Sequence, residues 1–171
     1  SYGFLCEDFV RDKDAVSACV ILAEIAAWAK DQGLSLYQLL QKIYVEYGFS
    51  KEKGISVVKK GKSGAEEIEA MMKKFRENPL TEIAGSKVTY FYYYSTLKGK
   101  DYAENETVTL DMPTTSNVLQ YFTEDNTKVS IRPSGTEPKI KFYCEVHSKV
   151  KSIDELPEAE KAAEEKINQI K

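Results

Sequence analysis

The stretch that decides the fold runs from Lys128 to Val146 and reads KVSIRPSGTEPKIKFYCEV. Polar and apolar residues alternate before Pro133, and apolar residues occupy every second position from Ile140 onward. This period of two predicts two β-strands joined by a short loop. The two prolines of the stretch restrict the ends of the loop, and Gly135 can adopt a backbone φ that other residues resist. We therefore expect the loop to lie at the end of a β-hairpin.

The loop and the strand after it carry a guanidinium, two hydroxyls, a glycine that leaves backbone amides open, and two ammonium groups. These groups belong to Arg132, Ser134, Thr136, Gly135, Lys139 and Lys141. Together they form an oxyanion receptor, and phosphate is the anion that they fit best. The same residues also allow a polar hairpin turn in which Arg132 pairs with Glu137 at the surface. Residue types alone do not separate these two interpretations.

The run from Arg132 to Tyr143, RPSGTEPKIKFY, resembles the phosphate-binding loop in the last domain of the α-D-phosphohexomutases. That family contains phosphoglucomutases and phosphomannomutases. A second block agrees with the first: SYG at Ser1–Gly3 and VRDKD at Val10–Asp14 resemble the end of the family's sugar-binding loop and the segment after it. The two motifs occur in the expected order and are separated by matching helices, so the resemblance covers nearly the whole chain.

The resemblance implies the C-terminal part of an enzyme that interconverts hexose 1-phosphate and hexose 6-phosphate. Catalysis in that family proceeds through a phosphorylated serine and a bisphosphate intermediate, with bound magnesium. The residues implied to bind the phosphate that is not transferred are Arg132, Ser134, Gly135, Thr136 and Lys139. Ser1 would lie beside the sugar hydroxyls, and Lys13 would approach the substrate phosphate or the reacting oxygens.

Magnesium and the activator hexose 1,6-bisphosphate are implied for the full-length enzyme only. The family's serine loop and its acidic magnesium loop are not in this sequence, so we expect neither a catalytic residue nor a metal ligand here. The chain opens in the middle of a motif, which predicts an excised fragment that is inactive by itself. Its expected partners are the phosphosugar substrate and the upstream domains of the same chain. The sequence does not decide whether the substrate is a glucose phosphate, a mannose phosphate or another sugar phosphate.

A non-catalytic module that binds an anion through the loop, or another protein through exposed tyrosines, is the alternative function. Net charge is −3 with acids and bases interspersed, which argues against nucleic acid and membrane surfaces as partners. Three cysteines without metal-like spacing suit a reducing cytoplasm, and one histidine is too few for a histidine-based metal site. The apolar run Ala15–Ala29 is shorter than the roughly 20 residues that a bilayer requires, and it contains Glu24, so it predicts a buried helix.

Two helices are predicted before the phosphate-binding part. The first spans Ala15–Lys30, with Asp14 as its N-cap, and is apolar nearly all round, which is typical of a helix sandwiched between other elements. We expect its missing cover to be the rest of the upstream domain. The second begins with a capping box formed by Ser35 and Gln38 and ends at Gly48. We assign residues 1–47 to the end of the third, sugar-binding domain and residues 48–171 to the fourth, phosphate-binding domain.

The remaining pattern alternates strands with two helices. A short strand is predicted at 55–58, a helix capped by Ser63 and Glu66, strands at 87–95 and 107–112 joined by a polar turn at 96–106 so that the second pairs back on the first, and a last helix from Ser152. Gly61-Lys62-Ser63 is not a P-loop, because Ser56 stands where the first glycine of that motif belongs. The sequence thus predicts an α+β domain with two helices on one face of an antiparallel sheet. The resemblance implies the same domain, similar to the TATA-binding-protein fold, preceded by helices from the upstream α/β domain.

Overall fold

The computed structural model describes Leu5 and residues 12–170. Its α-helices are α1 (Ala15–Asp31), α2 (Leu36–Tyr47), α3 (Gly61–Glu77) and α4 (Leu156–Ile170), with a 3-10 turn at Ile153–Glu155 before α4. Its strands are β1 (Phe49–Val58), β2 (Glu82–Ile83), β3 (Ser86–Tyr93), β4 (Lys98–Asp101), β5 (Glu106–Thr109), β6 (Leu119–Thr123), β7 (Thr127–Pro133) and β8 (Lys139–Ser148). None of the helices in this part of the chain is long and apolar enough to cross a membrane.

The strands form an antiparallel sheet in the order β1-β8-β7-β6-β3-β4-β5, and β2 pairs with β3. The hairpin predicted from the sequence lies inside this sheet. Its strands β7 and β8 pair over seven positions, from Thr127 opposite Val146 to Pro133 opposite Ile140. The five residues between them, 134–138, are the loop. Neighbouring strands on both sides of the hairpin hold it in place, because β1 pairs with β8 and β6 pairs with β7.

Helices α3 and α4 cover one face of the sheet, which we call the core face. The fully buried side chains include Leu119, Tyr121, Ile131, Ile140 and Cys144 from the strands, Met72 from α3 and Ile167 from α4. The rings of Phe75 and Phe142 meet edge-on with centroids 6.2 Å apart. The opposite face, which we call the open face, carries the side chains that alternate with these, among them Lys128, Arg132 and Lys141. The predicted α+β class, with two helices on one face, is confirmed.

A polar contact joins α4 to two turns of the sheet. The Lys166 Nζ lies 2.6 Å from Asp125 Oδ2 and donates a hydrogen bond to the Ala84 carbonyl at 2.7 Å. The Thr123 hydroxyl donates to Asp125 Oδ1 at 2.6 Å. Partial burial opposes ionisation of Asp125, but the hydrogen bonds from Lys166 and Thr123 outweigh it and hold the pKa of this carboxyl well below its usual range.

Helix α1 has the predicted position, and its apolar surface is largely exposed among the described residues, as expected for a helix whose cover belongs to the rest of an upstream domain. Asp14 caps it, accepting hydrogen bonds from the Val16 and Ser17 amides at 3.0 Å each. Within the described residues only Ala29 of α1 is buried, and Trp28 is 55 % exposed. The physical reason is that α2 is its main neighbour in this part of the chain, so most of its apolar surface has no other element to pack against.

The capping predictions had opposite outcomes. At α2 the capping box is present: the Gln38 amide donates to the Ser35 hydroxyl at 3.2 Å, and the Ser35 amide donates to Gln38 Oε1 at 2.8 Å. At α3 the predicted box of Ser63 and Glu66 is wrong, because the helix begins earlier, at Gly61. Ser63 therefore lies inside the helix, where its hydroxyl cannot act as the N-cap. Lys60 occupies that position and makes no side-chain capping bond.

The structure contains more strand residues than the sequence predicted in two places. Strand β1 begins at Phe49 rather than at residue 55, and pairs with β8 over ten positions. The segment 96–106, predicted to be a turn, contains β4, which pairs with β3 on one side and with β5 on the other. The strand predicted at 107–112 is present as β5, which ends earlier, at Thr109, and pairs with β4 instead of with β3. In both cases pairing with a neighbour imposed strand geometry on polar residues that have little strand propensity of their own.

Candidate functional site

The candidate site is the loop 134–138 together with the strand ends that flank it. The Ser134 amide donates to the Lys139 carbonyl at 2.7 Å, which closes the loop at its base. The Lys139 amide donates to the Glu137 carbonyl at 2.8 Å, and the Thr136 amide lies 3.5 Å from the Ser134 hydroxyl. These bonds fold the five residues into a tight turn, with Gly135, Thr136 and Glu137 exposed at its tip.

Gly135 does not have the role that the sequence predicted for its backbone. The prediction was a φ that other residues resist, but Gly135 is absent from the positions with positive φ. A Cβ placed at Gly135 would meet no atom within 4 Å. The glycine is therefore required neither by the backbone conformation nor by the packing of the described residues. Without a side chain, Gly135 leaves the tip of the loop uncovered.

Arg132 is exposed on the open face, at the end of β7. Its cross-strand neighbour on that face is Lys141 of β8. Like charges directly opposite each other on a sheet are destabilising. Among the described residues no carboxylate forms an ion pair with either of them. The pairing of Arg132 with Glu137, which was the alternative interpretation of the sequence, does not occur, because the Glu137 carboxylate faces Lys139 Nζ at 3.7 Å.

The tip of the loop lines a hollow of about 310 Å³ between the loop and α3. Its walls are Ser134, Gly135, Thr136, Glu137 and Pro138 from the loop, and Ala65 and Ile68 from α3. The structure thus brings Ser134, Gly135 and Thr136 together around one space. Arg132 and Lys139 do not line this hollow; they lie at the base of the loop, on the strands.

Of the two residues proposed near the N-terminus, Ser1 lies outside the described residues. Lys13 is described and exposed, and its Nζ is 3.2 Å from Asp12 Oδ1. Hydrogen bonds from the amide and the side chain of Lys13 lower the pKa of the Asp12 carboxyl. The role of Lys13 toward a substrate stays a prediction.

The contribution of α3 and of the turn before it was not predicted from the sequence. Ala65 and Ile68 line the hollow, and the Lys59 amide donates to the Pro138 carbonyl at 2.8 Å. Apolar residues of a helix and a backbone amide leave no chemical signature in a sequence. The one available signal was Gly64, an isolated glycine inside a helical pattern, which indicates a close approach by another segment.

Comparison with known proteins decides the family. The family described as "Phosphoglucomutase/phosphomannomutase, C-terminal domain" matches residues 55–163, which contain α3, the sheet from β2 to β8, the loop and the first half of α4. The chain belongs to this family. The resemblance inferred from the RPSGTEP run is thereby confirmed.

Relatives of the family agree with this assignment. The chain is 37 % identical over 147 residues to a phosphoglucomutase of Staphylococcus haemolyticus (strain JCSC1435), covering 86 % of this chain and 26 % of the relative. It is 37 % identical over 163 residues to a phosphoglucomutase of Staphylococcus aureus (strain MSSA476), covering 91 % and 28 %. The chain spans about a quarter of the length of these curated relatives.

A solved structure of similar coverage is the open form of the exocytosis-sensitive phosphoprotein parafusin, a phosphoglucomutase from Paramecium. The match covers 95 % of this chain and 28 % of that one, with 13 % identity and a TM-score of 0.45.

Proposed function

We propose that this chain is the part of a phosphohexomutase that binds the substrate phosphate that is not being transferred. The complete enzyme would interconvert hexose 1-phosphate and hexose 6-phosphate through a phosphoserine and a bisphosphate intermediate. The observation that carries the proposal is the pair Arg132 and Lys141, two cations held side by side at the base of a loop whose hydroxyls and open amides are acceptable phosphate ligands.

An anion at the base of the loop would remove an electrostatic cost. Arg132 and Lys141 repel each other across the strands, and a phosphate between them turns that repulsion into two attractions. The guanidinium can donate two parallel hydrogen bonds to phosphate oxygens, whereas the ammonium acts as a point charge. Ser134, Thr136 and the amides around Gly135 line the hollow beside α3, which Arg132 and Lys141 do not line, so they would donate to further oxygens of a phosphate placed at the edge between the hollow and the open face. The role of Lys139 would be secondary, because its ammonium already faces Glu137.

Binding at this loop would position the sugar and would not itself break or form a bond. A bisphosphate intermediate has to present either phosphate to the same serine, so a clamp that accepts either end suits such a reaction. Neither that serine nor its base is assigned to this chain. The upstream domains of the same chain and the phosphosugar are therefore its proposed partners, and the cytoplasm, which suits its odd number of cysteines, its proposed location.

Magnesium does not fit the described residues. Across residue 5 and residues 12–170 no three His, Cys, Asp or Glu side chains come together as they would around a metal ion. If the complete enzyme uses magnesium, as the family resemblance implies, its ligands belong to another part of the protein, and no step proposed for this chain runs through the ion.

The test is a titration of the chain with inorganic phosphate, followed by ¹⁵N NMR. We expect the amide shifts of residues 132–139 to move with phosphate. A charge-assisted hydrogen bond contributes about 1.5–3 kcal/mol, so Arg132→Ala should weaken binding by roughly tenfold to a hundredfold. Lys161→Ala is the matched control, since Lys161 is an exposed cation on α4, outside the loop, and has no proposed role at the site. Shifts centred elsewhere, or equal affinity in the Arg132 and Lys161 variants, would contradict the proposal.

A further inference from the structure

The loop receives a hydrogen bond from outside its own hairpin. The Lys59 amide donates to the Pro138 carbonyl at 2.8 Å, one residue beyond the last pair of the β1–β8 ladder, where Val58 lies opposite Lys139. Lys59 belongs to the connection between β1 and α3. The bond therefore ties the loop to the start of α3, on the same side as the hollow lined by Ala65 and Ile68.

Gly64 allows Lys59 to occupy this position. A Cβ built on Gly64 would lie 2.7 Å from the Lys59 Cβ and 2.9 Å from the Lys59 carbonyl carbon, both shorter than real contacts of this kind. Gly64 is buried, and its φ is not in the left-handed region, so the glycine is needed for space rather than for backbone conformation. Lys59 is also held to α3 by an ion pair, with its Nζ 2.8 Å from Glu67 Oε2.

The presence of glycine here runs against the preference of the helix. Gly64 lies in the first turns of a helix of 17 residues, where alanine would favour helix formation over glycine. Helix propensity alone therefore predicts that Gly64→Ala stabilises the fold. The contact with Lys59 predicts the opposite effect at a distance: the added methyl would push Lys59 away from α3 and strain its bond to the loop.

We infer that Gly64 is a positioning residue for the phosphate-binding loop, acting through the Lys59 amide and the Pro138 carbonyl. The inference rests on the proposed function of the loop, and it assigns part of the geometry of the site to a residue that touches no ligand. Because residue 64 has no side chain, Lys59 can lie close to α3. The Lys59 amide in turn holds the Pro138 carbonyl at the base of the loop.

The experiment compares Gly64→Ala with Gly54→Ala in the 171-residue chain, by ¹⁵N NMR with inorganic phosphate as the probe. Gly54 is the matched control, because it lies in β1, and a Cβ there would meet nothing within 4 Å. We expect Gly64→Ala to shift the amides of residues 134–138 in the free chain and to weaken phosphate binding about tenfold, the loss expected when hydrogen bonding to the phosphate is weakened by about 1.4 kcal/mol. Gly54→Ala should leave both unchanged.

A pair of rescue variants separates positioning from loss of the ion pair. Lys59→Gly and Lys59→Ala both remove the bond to Glu67, but only Lys59→Gly removes the Cβ, which is the atom nearest to the new methyl; the backbone carbonyl carbon of residue 59, at 2.9 Å, stays in both. In the Gly64→Ala background, Lys59→Gly should therefore recover part of the affinity, and Lys59→Ala should not. Equal behaviour of the two double variants would overturn the inference.

The remaining outcomes distinguish a failure of the Gly64 inference from a failure of the proposed function. If the unsubstituted chain shows no response to phosphate, the proposed function fails, while the free-state shifts of residues 134–138 still test whether Gly64 positions the loop. Unaltered shifts in Gly64→Ala, with affinity within about twofold of the control, would refute the inference and leave the proposed function intact. If Gly64→Ala does not fold, hydrogen exchange in the unsubstituted chain is the test: phosphate should slow exchange of the Lys59 amide, and an unchanged rate would count against the coupling.

Discussion

Lys166 offers the sharpest test of how α4 is fastened to the sheet. We predict that Lys166→Met destabilises the chain, since methionine fills a similar volume but donates no hydrogen bond. The Lys166 side chain is only 17 % exposed, and it bonds both Asp125 and the Ala84 carbonyl. A hydrogen bond to a charged group contributes about 1.5–3 kcal/mol. The Asp125 side chain is 42 % exposed, so water competes and the lower part of that range applies.

We therefore expect Lys166→Met to lower the free energy of unfolding by about 2 kcal/mol, which for a domain of this size corresponds to a Tm lower by roughly 4–8 °C. Urea denaturation followed by far-UV circular dichroism measures it. Lys161→Met is the matched control on the same helix: Lys161 is 79 % exposed, its Nζ lies 4.0 Å from Glu165, and its loss should cost less than about 0.5 kcal/mol.

The effect should depend on pH in one direction. The pKa of Asp125 is held below its ordinary value of 3.8 in the folded chain. A carboxyl with a depressed pKa adds stability above its unfolded-state pKa and loses it as the pH falls toward the folded-state pKa. The difference between wild type and Lys166→Met should thus be complete at pH 7 and should shrink below about pH 4. A difference that is equally large at about pH 3, or a Lys166 variant no weaker than the Lys161 variant, would refute this reasoning.

Two further predictions follow from the loop and from the caps. Gly135→Ala should leave the unfolding free energy within about 0.5 kcal/mol of wild type, since a Cβ there meets nothing within 4 Å. The same variant should weaken phosphate binding if the tip amides contact the ligand. Urea unfolding and NMR titration measure the two effects, and unchanged affinity would remove Gly135 from the site. Ser35→Ala should lower helix stability by about 1 kcal/mol because it breaks a capping box, whereas Ser63→Ala should lower it hardly at all. The helical circular dichroism signal during urea unfolding compares the two variants. An equal loss would show that Ser63 caps α3 after all.

Much of the fold was predictable because local patterns and tertiary structure agree. The strands of the hairpin follow from period-two alternation, and the ends of α1 and α2 follow from Asp14, Ser35 and Gly48. The wrong predictions differ in cause. Ser63 looks like a cap, but α3 begins at Gly61, before it, and β4 looks like a turn, but β3 and β5 pair with it. For β4 a contact distant in the sequence outweighed a local preference.

The site shows the same division. Arg132, Ser134, Gly135 and Thr136 were recognisable from the sequence, because a guanidinium, hydroxyls and a glycine are chemically distinctive and adjacent in the chain. That Lys141 lies beside Arg132 also follows from the hairpin register. The pairing of Glu137 with Lys139 instead of Arg132 did not follow from residue types, because it depends on the path that the loop takes between the two strands.

The sequence by itself determined the α+β class, the hairpin and the chemistry at its tip, since these depend on residue types and on spacings within about 20 positions. Only the tertiary structure decided that α3 forms the far wall of the hollow and that Gly64, 74 positions before Pro138, lies next to the segment whose amide contacts the loop. The physical reason is that a steric contact between backbone atoms is set by how a helix packs on a sheet, and such packing depends on the whole core.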